Sequence, residues 1–134
     1  MTPFFDTNIL VYAFLDFAKR ETALDLLASG GIISAQVLNE FTNVARRKRQ
    51  REWPDIESAI SVIRFQFPDI VPLTAGTHAA ALGLARDHGL AFYDALIVAA
   101  AIEAGCDILY SEDMQHGRAI GGLTIRNPFV EGGG

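Results

Sequence analysis

Disulfides have no place in this chain, because its 134 residues include one cysteine, Cys106, set in the apolar run AGCDILY. A lone thiol in such surroundings is expected to be a buried small hydrophobe. The lack of a disulfide framework fits a reducing cytosol, so a cytoplasmic location is expected. Long apolar runs are missing as well. The longest, ALIVAAAI, falls far short of the roughly 20 residues of a membrane span, and no membrane partner is expected. The polar start Met1-Thr2-Pro3, followed at once by the Asp6 segment, predicts no secretory leader. Positive charge is scarce: 11 Lys and Arg against 16 Asp and Glu leave a net charge of -5. That speaks against a simple electrostatic nucleic-acid-binding module, although an acidic metal site would account for part of it. Repeats and linkers are absent, and the only low-complexity stretch is the closing Gly132-Gly133-Gly134. Residues 1–130 therefore read as a single domain, with 131–134 a flexible tail.

What is present is a compact globular composition, half hydrophobic and a fifth charged, in a chain long enough to bury a core without staples. Short apolar runs alternate with helix-length segments. PFF, GGIISA, DIVPL, CDILYS and LTIRN read as five strands. Residues 8–15 and 18–29 read as helices joined near Asp16-Phe17. Ser34 is placed to cap a helix running through QVLNEFTNVARRKRQ, and Pro54 suits the first position of the next, PDIESAISVIRFQF. Residues 75–88 and 92–104 give two more helices, ended by Gly89 and Gly105. Phe4, Phe5, Phe14, Phe65, Phe67 and Phe92 fall at core spacings. Alternation of strands that are apolar throughout with helices predicts an α/β fold, a central parallel sheet of four to five strands with helices on both faces. In such folds function gathers at the carboxyl ends of the strands.

The acids can be held against that rule. Asp6 ends the first strand in PFFDTNIL. Glu40 lies within the first two turns of the helix that follows the second strand, six positions after Ser34. Asp94 opens the most apolar helix, and Asp113 follows the fourth strand with Glu112 beside it. Each has an ordinary explanation: Asp6 as a helix cap, Asp94 as a partner of the helix dipole, Asp113 as a turn residue. Glu40 is harder to explain this way, because it sits at the margin of an apolar face made by Val37, Leu38, Phe41 and Val44. Four carboxylates from four distant segments map to one sheet edge. Gathered acids repel one another and push their pKa values up unless a cation neutralises them. An all-oxygen set selects a hard ion, Mg²⁺ or Mn²⁺, and no Cys or His cluster is present for zinc. Open-sided Mg²⁺ sites of this kind serve phosphoryl transfer or phosphodiester hydrolysis.

FFDTNILVYAF, SAQVLNEFTNVARRK, FYDALIVAAAIEAGCDILYSEDMQHG and the closing IRNPF resemble the PIN domain, and within it the VapC ribonuclease toxins of toxin–antitoxin pairs. The resemblance covers nearly the whole chain. It implies a Mg²⁺/Mn²⁺-dependent endoribonuclease, a homodimer, and inhibition by a small VapB-like antitoxin. The family's firmest acids carry over onto Asp6, Glu40 and Asp94, and its fourth acidic region onto Ser111-Glu112-Asp113, with Asp113 the ligand. Many relatives carry a further acid where this chain has His116, which is either a surface residue or a substrate contact. Thr7, Asn8 and Ser111 are expected to orient the carboxylates. Metal-activated water would leave 5′-phosphate and 3′-hydroxyl ends. No histidine pair is evident for attack by the RNA's own 2′-hydroxyl, since His78, His88 and His116 are scattered.

The run RRKRQR, with Arg46, Arg47, Lys48, Arg49 and Arg51, holds more positive charge than a helix C-terminus needs and is a candidate contact for RNA phosphates or an acidic antitoxin segment. Trp53 beside it is a candidate antitoxin or dimer contact. Two rivals stand against the nuclease reading. A haloacid-dehalogenase-like phosphatase needs an acid where Asn8 stands and a later lysine that is not found. A catalytically inactive PIN-fold interaction module would be expected to have lost one of the firm acids, and all three are present.

Overall fold

The structure is a computed structural model describing residues 2–130. The five expected strands form. Pro3–Phe5 (β1) pairs in parallel with Ile108–Tyr110 (β4), with Phe5 opposite Tyr110, and β4 pairs in parallel with Leu123–Arg126 (β6). Ile33–Ser34 (β2) and Ile70–Val71 (β3) form a separate parallel pair. A single bridge ties that pair to β1: Phe5 N–H donates to Ile32 O at 3.0 Å and Ile32 N–H to Pro3 O at 2.9 Å. Gly31 permits this approach. A Cβ there would stand 2.4 Å from Phe5 Cε2 and 2.8 Å from Pro3 O, too close for any other residue without a shift of backbone.

One strand was not foreseen. Ala119–Ile120 (β5) lies antiparallel on the edge of β6, so the main sheet runs β1-β4-β6-β5 and is parallel except at that edge. The turn between β5 and β6 is Gly121-Gly122, both at positive φ (55° and 83°), which is the requirement of a tight hairpin and the reason two glycines stand together.

Successive strand residues point to opposite sides. Phe4 and Phe5 are both fully buried, and Ile108 and Leu109 are buried too, so both faces of the sheet are covered. Helices provide the cover. Asp6 caps Thr7–Val11 (α1), which runs on through a π-helical turn, Tyr12–Asp16, to Phe17 in the left-handed region (φ 66°) and then Arg20–Ala28 (α2). That junction is where the sequence breaks the helical pattern. Ser34 caps Ala35–Asn43 (α3), its Oγ accepting from Val37 N–H at 3.3 Å, and a second π-helical turn, Val44–Lys48, carries α3 into the basic run. Trp53–Gln66 (α4) has Pro54 in its first turn. Ala75–His88 (α5) opens on a Thr74–Thr77 capping box and ends at Gly89, and Phe92–Glu103 (α6) follows. Ala95 through Ala101 are all buried, so this stretch of α6 is apolar all round because it is enclosed all round.

One expectation about an aromatic side chain changes. Phe65 is 91 % exposed rather than in the core, because α4 turns Ile56 and Ile63 inward and leaves Phe65 on the outer face with Val62. Leu10 and Val11 on α1 are core residues. No helix among the described residues is long and apolar enough to cross a membrane. The expected flexible tail, 131–134, lies outside the described residues.

Candidate active site

The carboxyl ends of β1 and β4 are locked side by side, since Asp6 N–H donates to Tyr110 O at 3.0 Å. One residue beyond the ladder, two side chains meet. Ser111 Oγ donates to Asp6 Oδ2 at 2.6 Å and accepts from Met114 N–H at 3.3 Å, while Asp6 Oδ1 takes Thr7 N–H at 2.7 Å. Asp6 is thus a helix cap and a buried acid at once, with 3 % of its surface exposed. Thr7 faces the next acid: its Oγ1 donates to Glu40 Oε1 at 3.3 Å, and Gln36 Nε2 donates to Glu40 Oε2 at 3.0 Å. Asp94 stands half-buried in the first turn of α6, and Asp113 is exposed just past β4.

These acids feel one another. Burial raises the Asp6 carboxyl to about 7, against the pull of its bonds from Ser111 and Thr7, and the charges of Glu40 and Asp94 add to the rise. Glu40 is also raised, first by burial and then by Asp94 and Asp113, with the Gln36 and Thr7 bonds opposing. Asp94 is raised by burial and by Asp113. The ion pairs of the described residues are Lys19–Glu112, Arg49–Asp16 and Arg86–Asp87, and none reaches any of the four acids. The site is an uncompensated negative field with Asp6 at its floor.

The neighbouring side chains sort into those that serve the acids and those used elsewhere. Thr7 and Ser111 bond to them as expected of orienting residues. Asn8 does something different: its Oδ1 accepts Glu112 N–H at 3.4 Å, fixing the loop that carries Asp113, while its Nδ2 is buried without a partner. Glu112 is partly buried, and Tyr12 OH and Lys19 Nζ both donate to it. Burial works against its charge, but those two bonds win and hold its carboxyl below the ordinary value. His116 is exposed and its Nδ1 accepts Asn127 N–H at 2.9 Å. Gln36 is the one contact to an acid that sequence reasoning passes over, although its i, i+4 spacing from Glu40 on one helix was there to be read.

The basic run is only partly free. Arg49 pairs with Asp16 at 2.8 Å and Arg51 Nη2 donates to Leu15 O at 2.9 Å, so both tie the end of the first π-helical turn to the second. Arg46 donates to Arg51 O at 3.1 Å and lies over the Trp53 ring at 4.9 Å. Arg47 and Lys48 remain exposed, and Lys48 borders the acids. A 340 Å³ cleft lined by Thr7, Asn8, Glu40, Lys48 and Asp113 meets a second of 430 Å³ at Glu40, Val44 and Lys48, making one groove over the site.

A hard divalent cation suits the donor set: oxygen ligands only, no paired base, and carboxylates that raise one another's proton affinity. Among the described residues, however, no three of His, Cys, Asp or Glu stand close enough together to hold an ion as they are. The donors are present in kind, with Asp6, Glu40, Asp94 and Asp113 the residues that would hold it, but they do not form a ready-made cage.

An acid-lined carboxyl edge on a mostly parallel α/β sheet is the class of site defined here. The PIN domain family model matches residues 4–120, and the chain belongs to that family. Comparison with curated proteins finds no match. Among solved structures the chain is similar to VapC20 of Mycobacterium tuberculosis, a toxin that cleaves the sarcin–ricin loop, with 22 % identity, TM-score 0.67, and coverage of 84 % of this chain and 90 % of that one. A toxin–antitoxin complex from Klebsiella pneumoniae matches at 21 % identity and TM-score 0.72, covering 96 % and 98 %. VapBC2 of Rickettsia felis, bound to a DNA fragment from its promoter, matches at 24 % and 0.66, covering 95 % and 98 %. At these identities the likeness is one of fold.

Proposed function

We propose that this chain is a Mg²⁺- or Mn²⁺-dependent endoribonuclease of the VapC kind, the toxin of a toxin–antitoxin pair. The observation that carries the reading is that Asp6, Glu40, Asp94 and Asp113, from four distant segments, lie near enough for the charges of some to raise the pKa of others, with no ion pair to offset them. Family membership and the toxin structures among its fold neighbours support it. When bound, a divalent cation supplies the positive charge that acidifies water and offsets negative charge building on a phosphodiester. The chain's own part is to hold the acids: Ser111 and Thr7 fix the two oxygens of Asp6, and Gln36 and Thr7 fix those of Glu40. Lys48 at the groove rim meets RNA phosphates, and the exposed Arg47 is a further candidate contact. A VapB-like antitoxin, a homodimer and a cytoplasmic location belong to the same reading, residues 1–130 forming the toxin's one domain.

The missing ready-made cage favours one second reading, an inactive PIN-fold interaction module. The two part on cleavage. Protein free of antitoxin is incubated with total RNA in Mg²⁺ and in EDTA, beside Asp94→Asn. Cleavage in Mg²⁺ that EDTA and Asp94→Asn both abolish supports the nuclease. RNA left intact by the wild type, with other RNAs and Mn²⁺ also tried, and a protein that still binds a partner support the module; equal cleavage in all three is contamination.

A further inference from the structure

The larger part of the groove lies beside the acids rather than over them, and its chemistry differs from theirs. Its 430 Å³ are lined by Gln36, Asn39, Asn43 and Tyr93, with Glu40 at one side and Lys48 at the rim. Gln36, Asn39 and Asn43 are spaced by three and four residues, so α3 presents three amides along one stripe. Across from them stands Tyr93, one residue before Asp94, with 65 % of its surface exposed. Its ring meets only the edge of the packing, at Phe92 with centroids 6.1 Å apart, and the buried side chains of α6 begin at Ala95.

Amide side chains offer a donor and an acceptor side by side without charge, and an exposed phenol ring offers a flat π face. That pairing fits a planar, neutral ligand edged with alternating donors and acceptors. A phosphate would find one cation here, Lys48, and would be repelled by Glu40. Building on the nuclease reading, we propose that this pocket receives one unpaired nucleobase of the RNA next to the scissile phosphate, stacked on Tyr93 and read at its edge by Asn39 and Asn43. Gln36 joins pocket and acids: its Nε2 holds Glu40 while its side chain lines the base pocket, so a seated base bears on the carboxylate through one residue. Duplex RNA cannot enter, since its bases are paired and stacked within the helix and offer no free face to Tyr93. The enzyme therefore selects loops and single strands.

The test measures binding of short single-stranded RNA by fluorescence anisotropy and cleavage as kcat/KM, for the wild type, Tyr93→Ala and Tyr93→Phe. It is repeated with an abasic nucleotide at the cleaved position. Loss of one stacked base weakens affinity by about 5- to 150-fold, so Tyr93→Ala is expected to fall in that range and Tyr93→Phe to stay within about twofold of wild type. The abasic RNA should bind the wild type at least as weakly as intact RNA binds Tyr93→Ala, and should cost that variant less than it costs the wild type. Asn39→Ala and Asn43→Ala should reorder preference among the four bases. Wild-type cleavage with Tyr93→Ala indistinguishable from it overturns the pocket and leaves the nuclease standing. A wild type that neither binds nor cuts RNA overturns the nuclease reading first. If Tyr93→Ala keeps RNA but loses a protein partner, the pocket belongs to that partner and the proposal falls.

Discussion

Replacing Asp6 by Asn should make the protein more stable at pH 8 while removing its activity. Asp6 titrates near 7 in the fold against 3.8 for a free aspartate, so the fold binds its proton more tightly than the unfolded chain does. A raised carboxylate works against folding wherever it is charged. Below about pH 4 both states are protonated and the penalty vanishes; it grows between about 4 and 7 and is complete above 7. Three units at 1.36 kcal/mol each put the full cost at about 4 kcal/mol. Asn keeps the shape, is as good a helix cap, and can accept Thr7 N–H while its amide meets Ser111 Oγ. Some of the gain is lost to the weaker neutral bonds, so about 2–4 kcal/mol should remain, a rise in Tm of roughly 6–15 °C for a chain of this size. The assay is thermal unfolding of the wild type and Asp6→Asn in EDTA at pH 8 and pH 4. A gain at pH 8 that shrinks towards zero at pH 4 is expected. Equal gains at both pH values, or a loss at pH 8, would refute the reasoning.

Gly31→Ala should lower stability by about 1–3 kcal/mol or more in urea unfolding, because the new methyl group meets Pro3 O and the fully buried Phe5 ring. Ser34→Ala removes the cap of the helix that carries Glu40 and should cost about 1 kcal/mol by the same method, with Ser34→Asn restoring most of it. Thr77→Val breaks a buried capping box and the 3.0 Å bond from its hydroxyl to Glu103, for about 1–2 kcal/mol in denaturant midpoint. Phe65→Ser, on a side chain open to water, should change stability by less than about 0.5 kcal/mol.

Much of this could be read from the chain because local rules agree with the fold. The Ser34 cap, the Pro54 start and the Gly89 stop each mark a helix end for a physical reason, and the structure places all three there. The position of Asp6 at the end of β1 was equally legible, since polar residues interrupt an apolar run at a strand end. Three features were hidden. β5 has two residues and no hydrophobic period, so only its Gly-Gly turn could have announced it. Phe65 obeys an apolar spacing, but which face of an amphipathic helix meets the core is decided by neighbours distant in sequence. The basic run looked like a free strip because pairing with Asp16 and Leu15 O depends on where the first π-helical turn ends, some thirty residues earlier.

The central claim is that the meeting acids make a metal-dependent ribonuclease, and the ends of its products test that most directly. RNA cut by the antitoxin-free protein in Mg²⁺ should carry 5′-phosphates and 3′-hydroxyls, with no cutting in EDTA. Products ending in 2′,3′-cyclic phosphate that persist in EDTA would mean that the RNA's own hydroxyl is the nucleophile and that the four acids are not the reacting centre.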